Sequence, residues 1–182
     1  MNKSKNSEKI KNAKETKAAK VKFPPPLIYL AVILFGVALQ KWVGEWPFEW
    51  LFALSLGQAL SIDALYSVRG WMLVFFGAAA AGLIGDSLVR FIQTRQNPEP
   101  WTPSPQLITT GVYRFTRNPM YLGMALLQGF YGLYALNGWV ILLLPLSMLG
   151  VYFIAIRPEE TYLAGVFEKD YHRYKQSVRR WL

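Results

Sequence analysis

Two polar clusters interrupt an otherwise apolar chain, and both carry side chains able to bind a small molecule. The first is the stretch GVYRFTRNPMYLG, residues 111–123, which places two arginines, two tyrosines and an asparagine at the start of a long apolar run. The second follows the last apolar run and begins with two adjacent carboxylates, Glu159 and Glu160. Guanidinium groups bind carboxylates, carboxylates bind ammonium groups and hydroxyls, and tyrosine rings attract cations. Together these groups fit a ligand that combines an anion, a cation and an aromatic ring.

The first cluster also has a purely structural interpretation. Asn118 and Pro119 are the residue types expected at the N-cap and the first position of a helix. Arginines at this point could satisfy the preference for basic residues on the cytoplasmic side, and a tyrosine could anchor at the interface. The helix cap leaves four residues without a role: Tyr113, Arg114, Arg117 and Tyr121.

The second cluster continues into a predicted amphipathic helix. Its apolar stripe has 4-3-4-3 spacing and contains Phe167, Tyr171, Tyr174, Val178 and Trp181. Basic residues occupy its other faces: Lys169, Arg173, Lys175, Arg179 and Arg180. We expect this helix to lie in the headgroup region, where it could roof a pocket or act as a membrane anchor alone.

Four apolar runs of 17 or 18 residues determine the predicted fold: residues 27–43, 71–88, 120–136 and 139–156. A helix of this length measures roughly 26 Å, close to the thickness of a hydrocarbon core of about 30 Å. The short connection at Asn137 and Gly138 predicts an antiparallel hairpin, which brings the two polar clusters to the same membrane face. We therefore predict an all-α polytopic membrane protein with four transmembrane helices and a C-terminal amphipathic interfacial helix.

The net charge of +9 is explained by the membrane and not by nucleic acid. In the four-span arrangement, 18 of the 20 lysines and arginines lie on one side, and only Lys41 and Arg69 lie on the other. This positive-inside pattern places both termini in the cytoplasm. Because the chain has no cysteine and one histidine, His172, we expect neither thiol chemistry nor a bound metal.

The remaining segments complete the predicted organisation. We expect residues 1–22 to form a basic, mobile cytoplasmic tail and residues 23–182 to form a single membrane domain. Residues 46–62 are apolar but short, so we predict a re-entrant or interfacial piece in preference to a fifth span.

Small residues and one carboxylate stand out in the second apolar run. The sequence GAAAAGLIG, residues 77–85, predicts close packing against another helix. Asp86 follows it and is expected to reach the interface or to pair with Arg90 one turn later.

S-adenosylmethionine contains the anion, the cation and the aromatic ring that the two clusters would bind. Its carboxylate would suit Arg117 and the adjoining helix start. Its ammonium group or ribose hydroxyls would suit Glu159 or Glu160, and its sulfonium would suit the tyrosine faces.

At these clusters the chain resembles the integral-membrane methyltransferases of the isoprenylcysteine carboxyl methyltransferase and phospholipid N-methyltransferase superfamily. That superfamily has the pattern G-x-Y-R-x-x-R-[HN]-P-x-Y-x-G, a hydrophobic hairpin, E-E-x-x-L and F-x-x-x-Y-x-x-Y. Here the corresponding segments read GVYRFTRNPMYLG, EETYL and FEKDYHRY. The likeness is strong over residues 109–182 and extends to the first two spans by architecture only.

The resemblance implies S-adenosylmethionine as methyl donor, a cytoplasmic cofactor pocket within residues 109–182, and a lipophilic acceptor from the bilayer. It also implies a bacterial-type member located in the inner membrane. We predict catalytic roles for Asn118, Tyr121 and Glu159. Nine residues are predicted to bind the cofactor: Tyr113, Arg114, Arg117, Asn118, Tyr121, Glu159, Glu160, Tyr171 and Tyr174.

Asn118 is a departure, because many members of the superfamily have histidine at this position. Asparagine forms hydrogen bonds but does not act as a base near neutral pH. An acceptor carboxylate is already ionised and needs no base, so Asn118 favours O-methylation of the isoprenylcysteine type. Phospholipid-amine N-methylation, with a glutamate or water as base, is the first alternative.

Three other classes of protein compete with a methyltransferase. A nicotinamide-dependent membrane reductase of related architecture is the closest enzymatic rival. A proton-coupled transporter would need a carboxylate near mid-membrane, whereas Asp86 and Glu159 lie at span ends. A membrane scaffold held by its basic tails would leave the paired glutamates unexplained.

Overall fold

The computed structural model of the protein describes residues 19, 21, 23–44 and 68–182. Within this part of the chain the fold is all-α and contains no strand, as predicted. The predicted basic tail lies almost entirely outside the described residues, and so does the predicted re-entrant piece at 46–62.

Six α-helices occur in the described ranges: α1 Pro25–Val43, α2 Val68–Gln93, α3 Pro119–Tyr134, α4 Gly138–Leu142, α5 Leu144–Val151 and α6 Arg157–Ser177. A 3₁₀ helix, Gly111–Arg114, precedes α3, and a π-helical turn, Tyr152–Ile156, connects α5 to α6.

Among the described residues, two helices are long and apolar enough to cross a membrane: Pro25–Val43 and Arg69–Gln93. Only 11% of the most apolar window of each helix is buried within the chain. Their large side chains point outward, as Leu34 does in α1 and Phe75 in α2. Such exposed apolar surface distinguishes them from the core helices of a soluble protein.

The third and fourth predicted spans are shorter or interrupted. Helix α3 has 16 residues, and the apolar run 139–156 is divided into α4, α5 and the π turn. An uninterrupted helix over 139–156 was therefore a wrong prediction. Pro145 and Pro158 explain the interruptions, because each lacks the N–H that would bond four residues back and its ring crowds that carbonyl.

The chain divides into two compact units. Of the described residues, unit 1 contains 19, 21, 23–24, 84–120 and 151–182. Unit 2 contains 25–44, 68–83 and 121–150.

Unit 2 contains the predicted helical hairpin, which the structure confirms. The Asn137 side chain caps α4 by accepting a hydrogen bond from Val140 N at 3.1 Å. Gly36 of α1 packs on the same turn, since a side-chain carbon at Gly36 would lie 2.8 Å from Val140 Cγ2. Glycine at this position therefore allows two helices to approach closely.

A polar network is buried in the same unit. Gln128 Nε2 donates to Val140 O at 2.9 Å, and its Oε1 accepts from Ser147 Oγ at 2.6 Å. Gln128 and Ser147 are both fully buried. The amide thus satisfies a backbone carbonyl next to the break between α4 and α5, where the regular helical ladder is interrupted.

The small-residue stretch of α2 packs only in its first half. A side-chain carbon at Gly77 would touch Phe130 at 3.4 Å, and Ala80 is fully buried. Gly82 and Gly85 have no such neighbour within 4 Å in the part of the chain that the structure describes. The predicted close-packing face is therefore confirmed at Gly77 and Ala80 and does not extend to the end of the stretch.

Candidate active site

Unit 1 contains a cleft that is lined by both polar clusters of the sequence. The cleft is open on one side and, with its mouth, holds about 540 Å³ of empty space. Seven of the predicted cofactor-binding residues line it: Tyr113, Arg117, Asn118, Glu159, Glu160, Tyr171 and Tyr174. The long-range grouping of the two clusters is therefore as expected from the sequence.

A buried ion pair forms part of the cleft wall. Arg117 Nη1 lies 3.3 Å from Glu160 Oε1, and the two side chains are only 7% and 13% exposed. The same Nη1 donates a long hydrogen bond of 3.5 Å to the Tyr171 hydroxyl. Arg117 Nε is buried and has no hydrogen-bond partner among the described residues. This N–H is therefore a donor that a ligand in the cleft could use.

Arg180 is a second partner of Glu160, and the sequence did not predict it. Arg180 Nε donates to Oε1 at 3.0 Å and Nη2 donates to Oε2 at 2.9 Å, a bidentate arrangement. Its guanidinium also lies over the Tyr152 ring, 4.9 Å from the centroid. Burial acts to raise the pKa of Glu160, but the Arg180 hydrogen bond and the Arg117 charge outweigh it and lower the pKa.

The predicted C-terminal helix ends earlier than its apolar spacing suggests. Helix α6 ends at Ser177, and Val178 has extended backbone angles. The helix is also bent at Glu168, where φ is 38°. Placing Val178, Arg180 and Trp181 on a continuous amphipathic helix was therefore wrong, because the extended backbone turns Arg180 toward Glu160.

This extended C-terminal segment, residues 178–182, is called the strap below. Arg117 N donates to Arg179 O at 3.0 Å. Arg180 O accepts two hydrogen bonds, from Thr116 Oγ1 and from Asn118 Nδ2, both at 3.0 Å. The strap is thus held against the residues that immediately precede α3. Since Thr116 and Asn118 are buried, these bonds are protected from water.

The end of α2 holds the 3₁₀ helix in place. Asp86 Oδ1 pairs with Arg90 Nη2 at 2.8 Å, which confirms the predicted pair. Asp86 Oδ2 also accepts a hydrogen bond from Val112 N at 2.8 Å. Gly111 has a φ of +64°, and a side chain there would collide with Asp86 and Arg90. The glycine that begins the first cluster is therefore required by both its backbone angle and its neighbours.

Tyrosines form much of the remaining wall. The Tyr174 hydroxyl donates to Tyr113 O at 2.7 Å. The Phe91 ring packs edge-on against the Tyr113 ring, with 6.4 Å between the two ring centroids. Burial raises the pKa of Tyr171 to about 12 and raises the pKa values of Tyr113 and Tyr174 above the ordinary 10. All three phenols are therefore neutral hydrogen-bonding groups at physiological pH.

Two predicted site residues do not line the cleft. Arg114 is exposed and is the last residue of the 3₁₀ helix. Tyr121 belongs to unit 2, where its backbone carbonyl accepts a hydrogen bond from the Tyr29 hydroxyl at 2.9 Å. The predicted roles of Arg114 and Tyr121 in cofactor binding therefore stay predictions.

The sequence also missed one wall of the cleft. It is formed by the end of α2, by the connecting segment and by one residue of α6: Phe91, Gln96, Ser104, Gln106, Leu107, Ile108 and Leu163. Ser104 N donates to the Tyr162 hydroxyl at 3.1 Å, which ties the connecting segment to α6. The signal available in the sequence was a proline-rich stretch, NPEPWTPSP, which has no helical periodicity.

These features define a helical protein with two helices fit to span a membrane and a charged small-molecule cleft. Residues 50–170 match the phospholipid methyltransferase family, and the chain belongs to that family.

The chain is similar to three curated proteins. It is 30% identical over 125 residues to a protein-S-isoprenylcysteine O-methyltransferase of Saccharomyces cerevisiae, covering 63% of this chain and 47% of the yeast protein. It is 27% identical over 154 residues to the protein of the same name in Dictyostelium discoideum, covering 79% and 58%. It is 40% identical over 63 residues to an uncharacterized protein of Haemophilus influenzae, covering 35% and 100%. The chain thus spans about half the length of the two methyltransferases. No solved structure matches it.

Proposed function

We propose that the protein transfers a methyl group from S-adenosylmethionine to a lipophilic acceptor at the cytoplasmic membrane face. The observation that carries this proposal is the buried Arg117–Glu160 pair in the cleft of a phospholipid methyltransferase family member. Buried charges are costly unless they are paired or bind a ligand. A cleft that holds both signs of charge fits a zwitterionic molecule.

The residues in the cleft fit S-adenosylmethionine by their chemistry. Arg117 Nε, which is buried and unpartnered among the described residues, would hold the carboxylate. Glu159 lines the cleft, and its charge acts on Tyr113 and Tyr171, so it would hold the ammonium group or ribose hydroxyls. Glu160 suits that role less well, because Arg180 and Arg117 already bind it.

Apolar residues and tyrosine rings would complete the binding of the donor. Leu107, Ile108 and Leu163 form an apolar part of the cleft that fits an aromatic base. When bound, S-adenosylmethionine supplies the methyl group, and its sulfonium sulfur keeps the bonding electron pair. Tyrosine faces near that cation would orient it and exclude water.

An isoprenylcysteine-type carboxylate is the acceptor that these residues favour. Such a carboxylate is ionised at neutral pH and gives up no proton on methylation. Asn118 cannot accept a proton, and its Nδ2 is bound to Arg180 O. Glu160 has a lowered pKa and is held by two arginines, which makes it a poor base. Two of the curated relatives are named for O-methylation of protein S-isoprenylcysteine, which supports the same choice.

Phospholipid-amine N-methylation is the second candidate, and the family name favours it. An ammonium acceptor must lose a proton before it can accept the methyl group. Glu159 is the cleft carboxylate that would take this proton, since Glu160 is bound by two arginines. The two candidates therefore differ in whether Glu159 serves as a base or only as a binding group.

Four membrane spans, with both termini in the cytoplasm of a bacterial inner membrane, form part of the proposal. Exposed apolar side chains on α3, α5 and the π turn support this topology, among them Leu127, Leu146 and Phe153. In this proposal residues 23–182 form one membrane domain, with residues 109–182 contributing most of the cofactor site. Phe91 and the connecting segment extend that site beyond the predicted 109–182 boundary.

A labelled methyl donor tests the reaction and distinguishes the acceptors. Purified protein in lipid nanodiscs would be incubated with S-adenosylmethionine carrying a radioactive methyl group and with either an S-farnesylated N-acetylcysteine or phosphatidylethanolamine. Alkaline hydrolysis releases volatile methanol from a methyl ester but not from an N-methylated amine. We expect volatile label from the farnesylated acceptor.

Two variants connect that reaction to the cleft. Glu159→Gln should lower label transfer at least tenfold, whereas Arg173→Ala, an exposed change on α6, should leave it unchanged. Base-stable label in phosphatidylethanolamine would support the second candidate. Absence of label with both acceptors, together with oxidation of a reduced nicotinamide cofactor, would contradict the proposal in favour of a reductase.

A further inference from the structure

We infer that Arg180 is a positioning residue of the cofactor site: its guanidinium holds Glu160 so that Arg117 keeps one donor for the ligand. The inference rests on the proposed function, since the ligand in question is the carboxylate of the methyl donor. It extends that function to the strap, residues 178–182, whose residues do not line the cleft.

Glu160 is shared unequally between two arginines. Arg180 binds both carboxylate oxygens, at 3.0 and 2.9 Å, whereas Arg117 reaches only Oε1, at 3.3 Å. A carboxylate engaged by a bidentate guanidinium leaves less charge to hold a second arginine. The side chains of Arg117, Glu160 and Arg180 together carry one net positive charge. That charge and the unpartnered Nε both belong to Arg117, which lines the cleft.

The Arg180 side chain is held in place by its neighbours. It lies over the Tyr152 ring at 4.9 Å, on the π turn that precedes α6. Its backbone carbonyl accepts hydrogen bonds from Thr116 and Asn118, which flank Arg117 in the sequence. The backbone of Arg117 is itself bound to the strap through Arg179 O. Arg180 and Arg117 are therefore held on one backbone framework, and a shift of one displaces the other.

A purely structural lock would also use these bonds, so the test must separate binding from stability. Arg180→Lys keeps the charge but cannot form the bidentate pair, and Arg180→Ala removes both. Both variants retain the backbone carbonyl that binds Thr116 and Asn118. Arg179→Ala is the matched control, because the Arg179 side chain is exposed and its change alters the net charge equally.

The experiment titrates each full-length variant in detergent with S-adenosylhomocysteine, followed by calorimetry, and records thermal unfolding of the same samples. We expect binding to be about tenfold weaker for Arg180→Lys, about a hundredfold weaker for Arg180→Ala and unchanged for Arg179→Ala. The loss of binding by the two Arg180 variants should be larger than their loss of stability explains. As the pH is lowered, Arg180→Ala should also lose binding at a higher pH than the wild-type protein does. Arg117, Lys175 and Tyr171 remain near Glu160, but the bond that most lowers its pKa is removed.

The outcomes separate the inference from the proposed function. If wild-type protein binds and both Arg180 variants bind equally well, the positioning role is overturned and the proposed function stands. If folded wild-type protein does not bind, the proposed function itself fails.

Thr116→Val decides the matter if Arg180→Ala does not fold. It removes the Thr116 hydroxyl, which donates to Arg180 O and also accepts from Asn118 N at 3.3 Å, preserves the side-chain shape and changes no residue that lines the cleft. Weaker binding by a folded Thr116→Val protein supports the positioning role of the strap. Unchanged binding overturns it.

Discussion

Arg117 Nη1 lies 3.3 Å from Glu160 Oε1, and this ion pair joins the segment before α3 to the first turn of α6. The two residues belong to different sequence motifs that are separated by the apolar hairpin. Their pairing gives one wall of the cleft a positive and a negative group, both largely buried. Its removal therefore affects both the stability of unit 1 and the binding of a charged ligand.

Glu160→Gln should destabilise the protein, because it leaves two arginines facing a neutral amide. Breaking a buried ion pair by removing one partner costs about 3–5 kcal/mol, and the partial exposure of Arg180 places our expectation near the lower value. Unfolding in mixed micelles of detergent and sodium dodecyl sulfate measures the change. Glu99→Gln, at an exposed position of the connecting segment, is the control that should change stability by less than about 0.5 kcal/mol. Equal stability of both variants would contradict a structural role for the pair.

Stability should depend on pH through the same carboxylate. The folded-state pKa of Glu160 lies below the ordinary value of 4.5, so the unfolded chain binds its proton more readily. Its contribution is therefore fully present above pH 4.5 and is lost as pH falls through the lowered pKa. The contribution of Glu160 to the thermal unfolding midpoint of the wild-type protein should be nearly constant from pH 8 to 5.5. The midpoint should fall at more acidic pH. Glu160→Gln should lack this part of the acid dependence, and an unchanged acid profile would argue against it.

Tyr174→Phe tests the bond between the two tyrosines of the cleft wall. The substitution removes the hydroxyl that donates to Tyr113 O at 2.7 Å and leaves that carbonyl without this donor. We expect a loss of about 1–3 kcal/mol, with the cleft residue Tyr113 less firmly held. Tyr134→Phe changes an exposed tyrosine of α3 and should be nearly neutral. Equal unfolding midpoints for the two variants would show that the bond contributes nothing.

Some of these contacts could be predicted from the sequence and others could not, for physical reasons. Apolar runs and the Asn137–Gly138 turn are local patterns, so the all-α fold and the hairpin were predictable. The meeting of Arg117 with Glu160 followed from that hairpin. The contact of Arg180 with Glu160 could not be predicted from a helical spacing of 3.6 residues, because the helix ends at Ser177. Beyond that point, extended backbone directs successive side chains to opposite sides.

The connecting segment and the interruption of the fourth run were missed for related reasons. Residues 94–110 carry no periodic pattern, so nothing in their order indicated that Ser104, Gln106, Leu107 and Ile108 would line the cleft. Pro145 lies within the fourth apolar run and Pro158 just beyond it, but the overall hydropathy of the run still indicated one helix. Backbone hydrogen bonding, which proline removes, decided the outcome there.

Gly36→Ala should weaken unit 2 through a steric contact between helices. The added carbon would lie 2.8 Å from Val140 Cγ2 and 3.1 Å from Val140 Cα, and the latter is backbone and cannot rotate away. Overpacking of this kind costs typically about 1–3 kcal/mol. Gly82→Ala is the matched control, since no atom of a described residue would lie within 4 Å of the added carbon and alanine favours the helix by up to about 1 kcal/mol. The two substitutions should shift the unfolding midpoint in opposite directions, and a shared direction would contradict the packing described for α1.

The proposed cofactor site is best tested by titrating the detergent-purified protein with S-adenosylhomocysteine. The wild-type protein is compared with Arg117→Ala, Glu159→Gln and Arg173→Ala. The cofactor site described here predicts micromolar binding by wild-type protein and by Arg173→Ala, whose side chain is exposed on α6. It predicts at least tenfold weaker binding by the other two variants, because each removes a charge that lines the cleft. Binding that is indifferent to Arg117 and Glu159, or no binding by folded wild-type protein, would contradict it.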